Sequence, residues 1–169
     1  MKTLYLDTET TGLSPRMGAK IVEIAIVDDR GRPVLDTLVN PERPIPLESS
    51  CIHGISDAMV SGAPTMRELW PTIEELTDGA HVVIYNAAFD RAFFPNQLSH
   101  TGRVSCAMLS FAEVYGEAHP TRGGYKWQKL MTAAEHIGYE FSGAAHRALA
   151  DALACRAVWR WLKSEGHVG

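Results

Sequence analysis

The sequence predicts an α/β fold, and three observations carry that reading. Strand-forming apolar runs crowd the chain before residue 40, a strand hands over to a helix near residue 86, and helical spacing governs the segment beyond residue 127. The first run, Thr3-Leu4-Tyr5-Leu6-Asp7, gives way to Thr10-Thr11-Gly12-Leu13-Ser14-Pro15 and reads as a strand followed by a loop. Within Lys20 to Asp29, Ile21-Val22-Glu23-Ile24-Ala25-Ile26-Val27 reads as a longer, mostly buried strand. Asp29-Arg30-Gly31-Arg32 is a hairpin turn into Val34 to Val39, so three consecutive antiparallel strands are expected. After Pro41, Pro44 and Pro46, the stretch Leu47 to Ile52 supports a short helix at best. Thr65 with Glu68 has the form of a capping box ahead of Leu69, Trp70, Ile73 and Leu76. Val82 to Tyr85 predicts a strand, with Asn86 capping a helix that carries Phe89, Phe93 and Phe94. A short strand at Val104 to Cys106 leads to a helix through Phe111 and Val114, then to a flexible loop from Gly116 to Gly124. Trp127 to Ile137 and Ala148 to Leu162 have helical spacing, which puts Trp127 at a helix start, in core packing.

At 169 residues with 46% hydrophobic side chains, one domain over 1–169 can bury a core without staples. Cys51, Cys106 and Cys155 are too widely spaced for a disulfide framework or a zinc site and read as reduced packing residues. The first apolar run is too short for a signal-peptide core and no later one spans a bilayer, so no membrane association and a cytoplasmic address are expected. The net charge of −4 argues at first against a polyanionic partner. Two divalent cations held by acidic residues would bring −4 + 4 to 0, so charge excludes no phosphate substrate.

Asp7 and Glu9 stand two apart where a strand ends, so in an extended backbone both carboxylates project to one side. Such a pair can hold a hard divalent cation, although acidic residues after strands are also common in turns. Asp90 falls on the first turn of a helix at the end of a strand, where α/β sheets collect ligands. Its neighbours Phe89, Phe93 and Phe94 are expected to hold that helix to the core. His146 and Asp151, five apart, stand about 140° from each other around a helix and cannot face one point if both are helical. The histidine is therefore expected in the loop before the helix, beside a fixed Asp151. Glu23, embedded in an apolar strand, either bonds to backbone beside the site or lies on a half-exposed strand face.

Asp7-Thr8-Glu9-Thr10-Thr11-Gly12-Leu13, Asn86-Ala87-Ala88-Phe89-Asp90 and His146-Arg147-Ala148-Leu149-Ala150-Asp151 resemble, in order, the three motifs of the DEDDh 3′→5′ exonucleases. Ile21 to Ala25 and His53-Gly54-Ile55 extend the likeness to nearly the whole chain. The resemblance implies a ribonuclease H-like fold, a mixed five-stranded sheet flanked by helices. It also implies that Asp7, Glu9, Asp90 and Asp151 hold two divalent cations, Mg²⁺ or Mn²⁺, and that His146 takes the proton of an attacking water. Thr8 and Thr10 are then expected to meet the terminal nucleotide, and Leu13, Ile52 and His53 to line a pocket for its base. Arg147, next to the histidine, is expected to contact phosphate, whereas Arg91, Arg122, Lys126 and Lys129 read as scattered surface charge. The implied partner is a nucleic acid, a DNA 3′ end ahead of RNA. Alternatives are an RNA-directed exoribonuclease, an inactive nucleic-acid-binding module, and a polymerase-bound proofreading subunit. The chain ends soon after Trp161 without a recruiting tail, so a polymerase partner is not indicated.

Overall fold

The computed structural model describes residues 1–169. Its centre is a five-stranded sheet in the order β3-β2-β1-β4-β5, built from β1 (Thr3–Thr10), β2 (Ile21–Asp28), β3 (Pro33–Leu38), β4 (His81–Ile84) and β5 (Arg103–Cys106). The first three strands are antiparallel, and β4 and β5 run parallel to β1, so the sheet is mixed as expected. In the turn between β2 and β3, Asp28 Oδ1 accepts the backbone N–H groups of Arg30 and Arg32, and Gly31 takes a φ of 82° that favours glycine.

Alternation along β1 and β2 divides the core. Tyr5, Ala25 and Val27 pack with Val83, Phe111 and the long helix α7 (Ala148–Ser164) on one face. Leu4, Leu6, Ile24 and Ile26 pack with α3 (Met66–Thr77) on the other. Helix α3 starts with the expected capping box, Thr65 N–H donating to Glu68 Oε2 at 2.7 Å. The remaining helices are α1 (Leu47–His53), α2 (Asp57–Val60), α4 (Ala87–Arg91), α5 (Ala107–Tyr115) and α6 (Leu130–His136). No helix is long and apolar enough to cross a membrane.

Three local expectations are corrected. Helix α6 begins at Leu130, because Lys129 is extended (φ −67°, ψ 154°) and the Gln128 carbonyl accepts from Tyr85 Oη at 2.8 Å. Trp127 therefore lies outside the helix, and it is exposed instead of core-packed. Asn86 occupies the position before α4, but its side chain makes no capping hydrogen bond. Helix α4 ends at Arg91, so it carries Phe89 but neither Phe93 nor Phe94.

Candidate active site

Asp7 and Glu9 lie at the end of β1 on the Tyr5 face, turned toward α7. Asp151 lies on the first turn of α7, and one carboxylate oxygen from each of Asp7, Glu9 and Asp151 falls within 4.8 Å of the others. A register shift between Glu9 and Thr10 marks the end of the regular ladder, the sort of bulge that re-aims side chains at a strand end. Asp90 arrives from α4 and is buried, its Oδ1 accepting a hydrogen bond from Thr8 Oγ1 at 2.7 Å. Thr8 was expected at the terminal nucleotide. Its hydroxyl donates to Asp90 and so also orients a carboxylate.

These carboxyls hold their protons unusually tightly. Burial, then the charges of Asp90, Asp151, Glu9 and Glu23, raises Asp7 well above the ordinary carboxylate range. Burial followed by Asp151, Glu23 and Asp90 pushes Glu9 up to about 8. Asp90 is raised to about 7, mainly by burial, against the opposing Thr8 bond. Asp151 is raised to about 6, again mainly by burial, while the His146 N–H pulls it down. In an unfolded chain the same groups titrate near 4. Between those limits the folded state holds protons that the unfolded state has lost, so the stabilisation is complete at low pH and disappears as pH rises toward about 8. Thermal melts in EDTA should show a midpoint that falls from pH 5.5 to 8, and saturating Mg²⁺ should flatten that slope. A metal-free midpoint that rises over this interval would contradict the electrostatic reading.

His146 precedes α7, as its spacing from Asp151 requires. Its φ of 62° lies in the left-handed region, and its N–H donates to Asp151 Oδ1 at 3.3 Å. The imidazole is exposed and makes no hydrogen bond within the protein. A non-glycine residue in this conformation persists only where its surroundings hold it.

Glu23 supplies much of that hold. Paired across the sheet with Glu9, it is buried and accepts from Arg147 Nε at 3.0 and 3.1 Å, from Arg147 Nη2 at 2.8 Å and from the Ala148 N–H at 3.1 Å. The carboxylate thus satisfies a free N–H at the start of α7 and favours the positive end of its dipole. Of the two readings the sequence left open for Glu23, the backbone bond is the one observed. Arg147 was expected to contact phosphate, but its guanidinium is turned to Glu23 and braces the junction between His146 and Asp151. Arg147→Ala leaves Glu23 buried and unpaired. Because the arginine itself is partly exposed, the expected cost is about 2 kcal/mol, below that of a fully buried pair. Urea unfolding checks this value, and a loss below about 0.5 kcal/mol would show that the brace is idle.

A cleft of about 540 Å³ opens beside Glu9, lined by Thr8, Thr10, Leu13, Ile52, His53 and Phe89 among others. Leu13 and Ile52 leave 87% and 60% of their surface exposed, an apolar surface left bare. Thr10 Oγ1 donates to the Gly12 carbonyl at 2.8 Å. The Ile55 N–H donates to His53 Nδ1 at 3.1 Å, so the other ring nitrogen carries the proton and donates to the Thr10 carbonyl at 3.2 Å. Burial lowers the pKa of this ring and keeps it neutral. His53 therefore ties α1 to the end of β1 as well as lining the cleft. Sequence reasoning had assigned Phe89 to the core. The structure places it in the cleft wall, 5.2 Å from Phe93 between ring centroids.

The strand order, and carboxylates gathered at the end of the central strand, define the class as a ribonuclease H-like nuclease fold. The family model described as Exonuclease (RNase_T) matches residues 4–158. Exonuclease X in complex with 5′ overhanging duplex DNA superposes with a TM-score of 0.77 at 26% identity, over 99% of this chain and 94% of that one. The "Uncharacterized exonuclease CP81" of Escherichia phage 186 is 42% identical over 160 residues, 88% of this chain and 81% of that protein. DNA polymerase III subunit epsilon of Rickettsia conorii is 30% identical over 166 residues, 94% of this chain and 72% of that protein. The chain belongs to the RNase_T exonuclease family and is a 3′→5′ exonuclease.

Proposed function

We propose that the chain removes nucleotides from DNA 3′ ends, single-stranded or frayed, as nucleoside 5′-monophosphates, with divalent cations held by Asp7, Glu9, Asp90 and Asp151. The observation that carries this reading is the cluster of three carboxylates within 4.8 Å beside an open cleft. No cationic side chain sits inside the cluster, since Arg147 is spent on Glu23, so the donor set suits hard divalent cations such as Mg²⁺ or Mn²⁺. When bound, such ions neutralise the phosphoryl oxygens, lower the pKa of the attacking water and stabilise the leaving 3′ oxygen.

The chain's own residues do the rest. Leu13, Ile52 and Phe89 offer an apolar surface to the terminal base, and Thr8 keeps Asp90 oriented. A nitrogen of the free His146 imidazole takes the proton of the attacking water. Glu23 and Arg147 hold the start of α7, and with it the relation of His146 to Asp151. A cytoplasmic setting belongs to the same reading, supported by the three free cysteines. A proofreading role beside a polymerase is the second reading, supported by the 30% identity with the epsilon subunit.

Hydrolysis of DNA and RNA oligonucleotides of matched sequence, with chromatography of the products, tests the substrate assignment. A higher kcat/KM on DNA with 5′-monophosphate products is expected, and a preference for RNA would overturn it.

A further inference from the structure

Residues 117–127 form a small hairpin that the catalytic machinery does not use. Ala118 bridges Tyr125, the His119 N–H donates to the Gly124 carbonyl at 2.9 Å, and the Lys126 N–H donates to the Glu117 carbonyl at 2.8 Å. Gly123 and Gly124 turn the tip, each at a φ of 69°, which favours residues without a Cβ. The root is built: Glu117 accepts from Lys126 Nζ at 2.9 Å and from Gln128 Nε2 at 2.8 Å, and the Gln128 carbonyl accepts from Tyr85 Oη at 2.8 Å. On this ordered frame Tyr125 and Trp127 stand 47% and 54% exposed, with the Arg122 guanidinium 5.6 Å from the Trp127 ring centroid. Large aromatic rings left about half exposed on a polar hairpin, outside the core clusters, are poised for a ligand.

The charge pattern says which ligand. The chain as a whole is acidic, at −4, yet in 117–129 the one carboxylate, Glu117, is paired with Lys126, which leaves Arg122 and Lys129 without a carboxylate partner. Cations interleaved with exposed aromatics are what single-stranded nucleic acid requires, because every base has a face to stack and every nucleotide a phosphate to neutralise. The location agrees. Leu6 pairs with Ile84 across the parallel strands, so Tyr85, which roots the hairpin, follows β4 just as Asp7 follows Leu6 in the neighbouring strand. The hairpin thus rises from the same end of the sheet as the carboxylates.

We infer that the 117–127 hairpin, with Lys129 beyond its root, is a second nucleic-acid contact, stacking bases on Trp127 and Tyr125 and meeting phosphates with Arg122 and Lys129, upstream of the 3′ nucleotide being removed. The inference rests on the exonuclease reading, and the experiment separates the two. Wild-type protein, Trp127→Ala, Trp127→Phe and Arg122→Ala are assayed on single-stranded DNA of about 4 and about 16 nucleotides, the span of such binding sites. The p-nitrophenyl ester of thymidine 5′-monophosphate serves as a substrate too short to reach the hairpin. For Trp127→Ala, KM on the long strand should rise about tenfold, erasing the preference for length, while hydrolysis of the ester changes less than twofold. Trp127→Phe, which keeps a ring to stack, should restore most of the preference. Arg122→Ala should reduce the salt slope of long-strand binding by about 0.7. An unchanged length preference in Trp127→Ala, or an unchanged salt slope in Arg122→Ala, overturns the inference. Failure of the wild type to shorten DNA of either length would instead sink the exonuclease reading. The part of the tryptophan quenching by the long strand that Trp127→Phe loses, measured in EDTA, would still decide whether the hairpin binds.

Discussion

His146→Ala should lower kcat by a factor of about 10²–10⁴, the range general-base catalysis contributes, with little change in KM. The imidazole has no structural partner to lose, so the effect should fall on chemistry and leave the fold intact. Backbone conformation is the one confounding factor, because the residue sits at φ 62° and any L residue there carries strain. His146→Asn answers that point, since asparagine tolerates the left-handed region well yet cannot act as a base of comparable strength. Both variants should lose activity to the same extent and keep Mn²⁺ affinity. If His146→Asn retained more than about a tenth of wild-type kcat, the imidazole would not be the proton acceptor.

Asp7→Asn should have opposite effects on activity and stability. It removes one of the clustered carboxylate charges, so activity in Mg²⁺ should fall by about three orders of magnitude, comparable to loss of a transition-state charge contact. It also removes a carboxyl that burial first, and then the charges of Asp90, Asp151, Glu9 and Glu23, disfavours as an anion. In EDTA at pH 8 the variant should therefore melt higher than wild type, by about 2–4 °C, the shift that about 1 kcal/mol gives a domain of this size. At pH 5, closer to the range where the unfolded carboxyls also hold their protons, the gain should shrink. Calorimetry at the two pH values checks it. A variant that melts lower at pH 8 would show that Asp7 is held by favourable contacts instead of strained by repulsion.

The residues of the site were legible in the sequence to the extent that local periodicity governs them. Asp7 and Glu9 share a face because a strand alternates, and His146 falls before α7 because five residues of helix would have turned it away from Asp151. The capping box at Thr65 and the three antiparallel strands are local in the same sense. What escaped was set by contacts between distant segments. Arg147 reads as a phosphate contact, and its bracing role stays hidden until Glu23, 124 residues away, is brought beneath it. Thr8 likewise gives no sign that it orients a carboxylate until Asp90, 82 residues on, takes its hydroxyl. Trp127 carried the spacing of a buried helical residue, but the Tyr85 hydroxyl engages the Gln128 carbonyl and the helix starts beyond it. Apolar residue type gave no warning that Phe89 would face a cleft, because burial and binding use the same side chains.

The most direct measurement is degradation of a 5′-labelled single-stranded DNA by the wild-type chain in Mg²⁺, in Mn²⁺ and in EDTA. A ladder that shortens stepwise from the 3′ end in either metal and stops entirely in EDTA is the predicted result. Internal cuts, cleavage that survives EDTA, or binding without cleavage in both metals would contradict a carboxylate-held, metal-dependent exonuclease site.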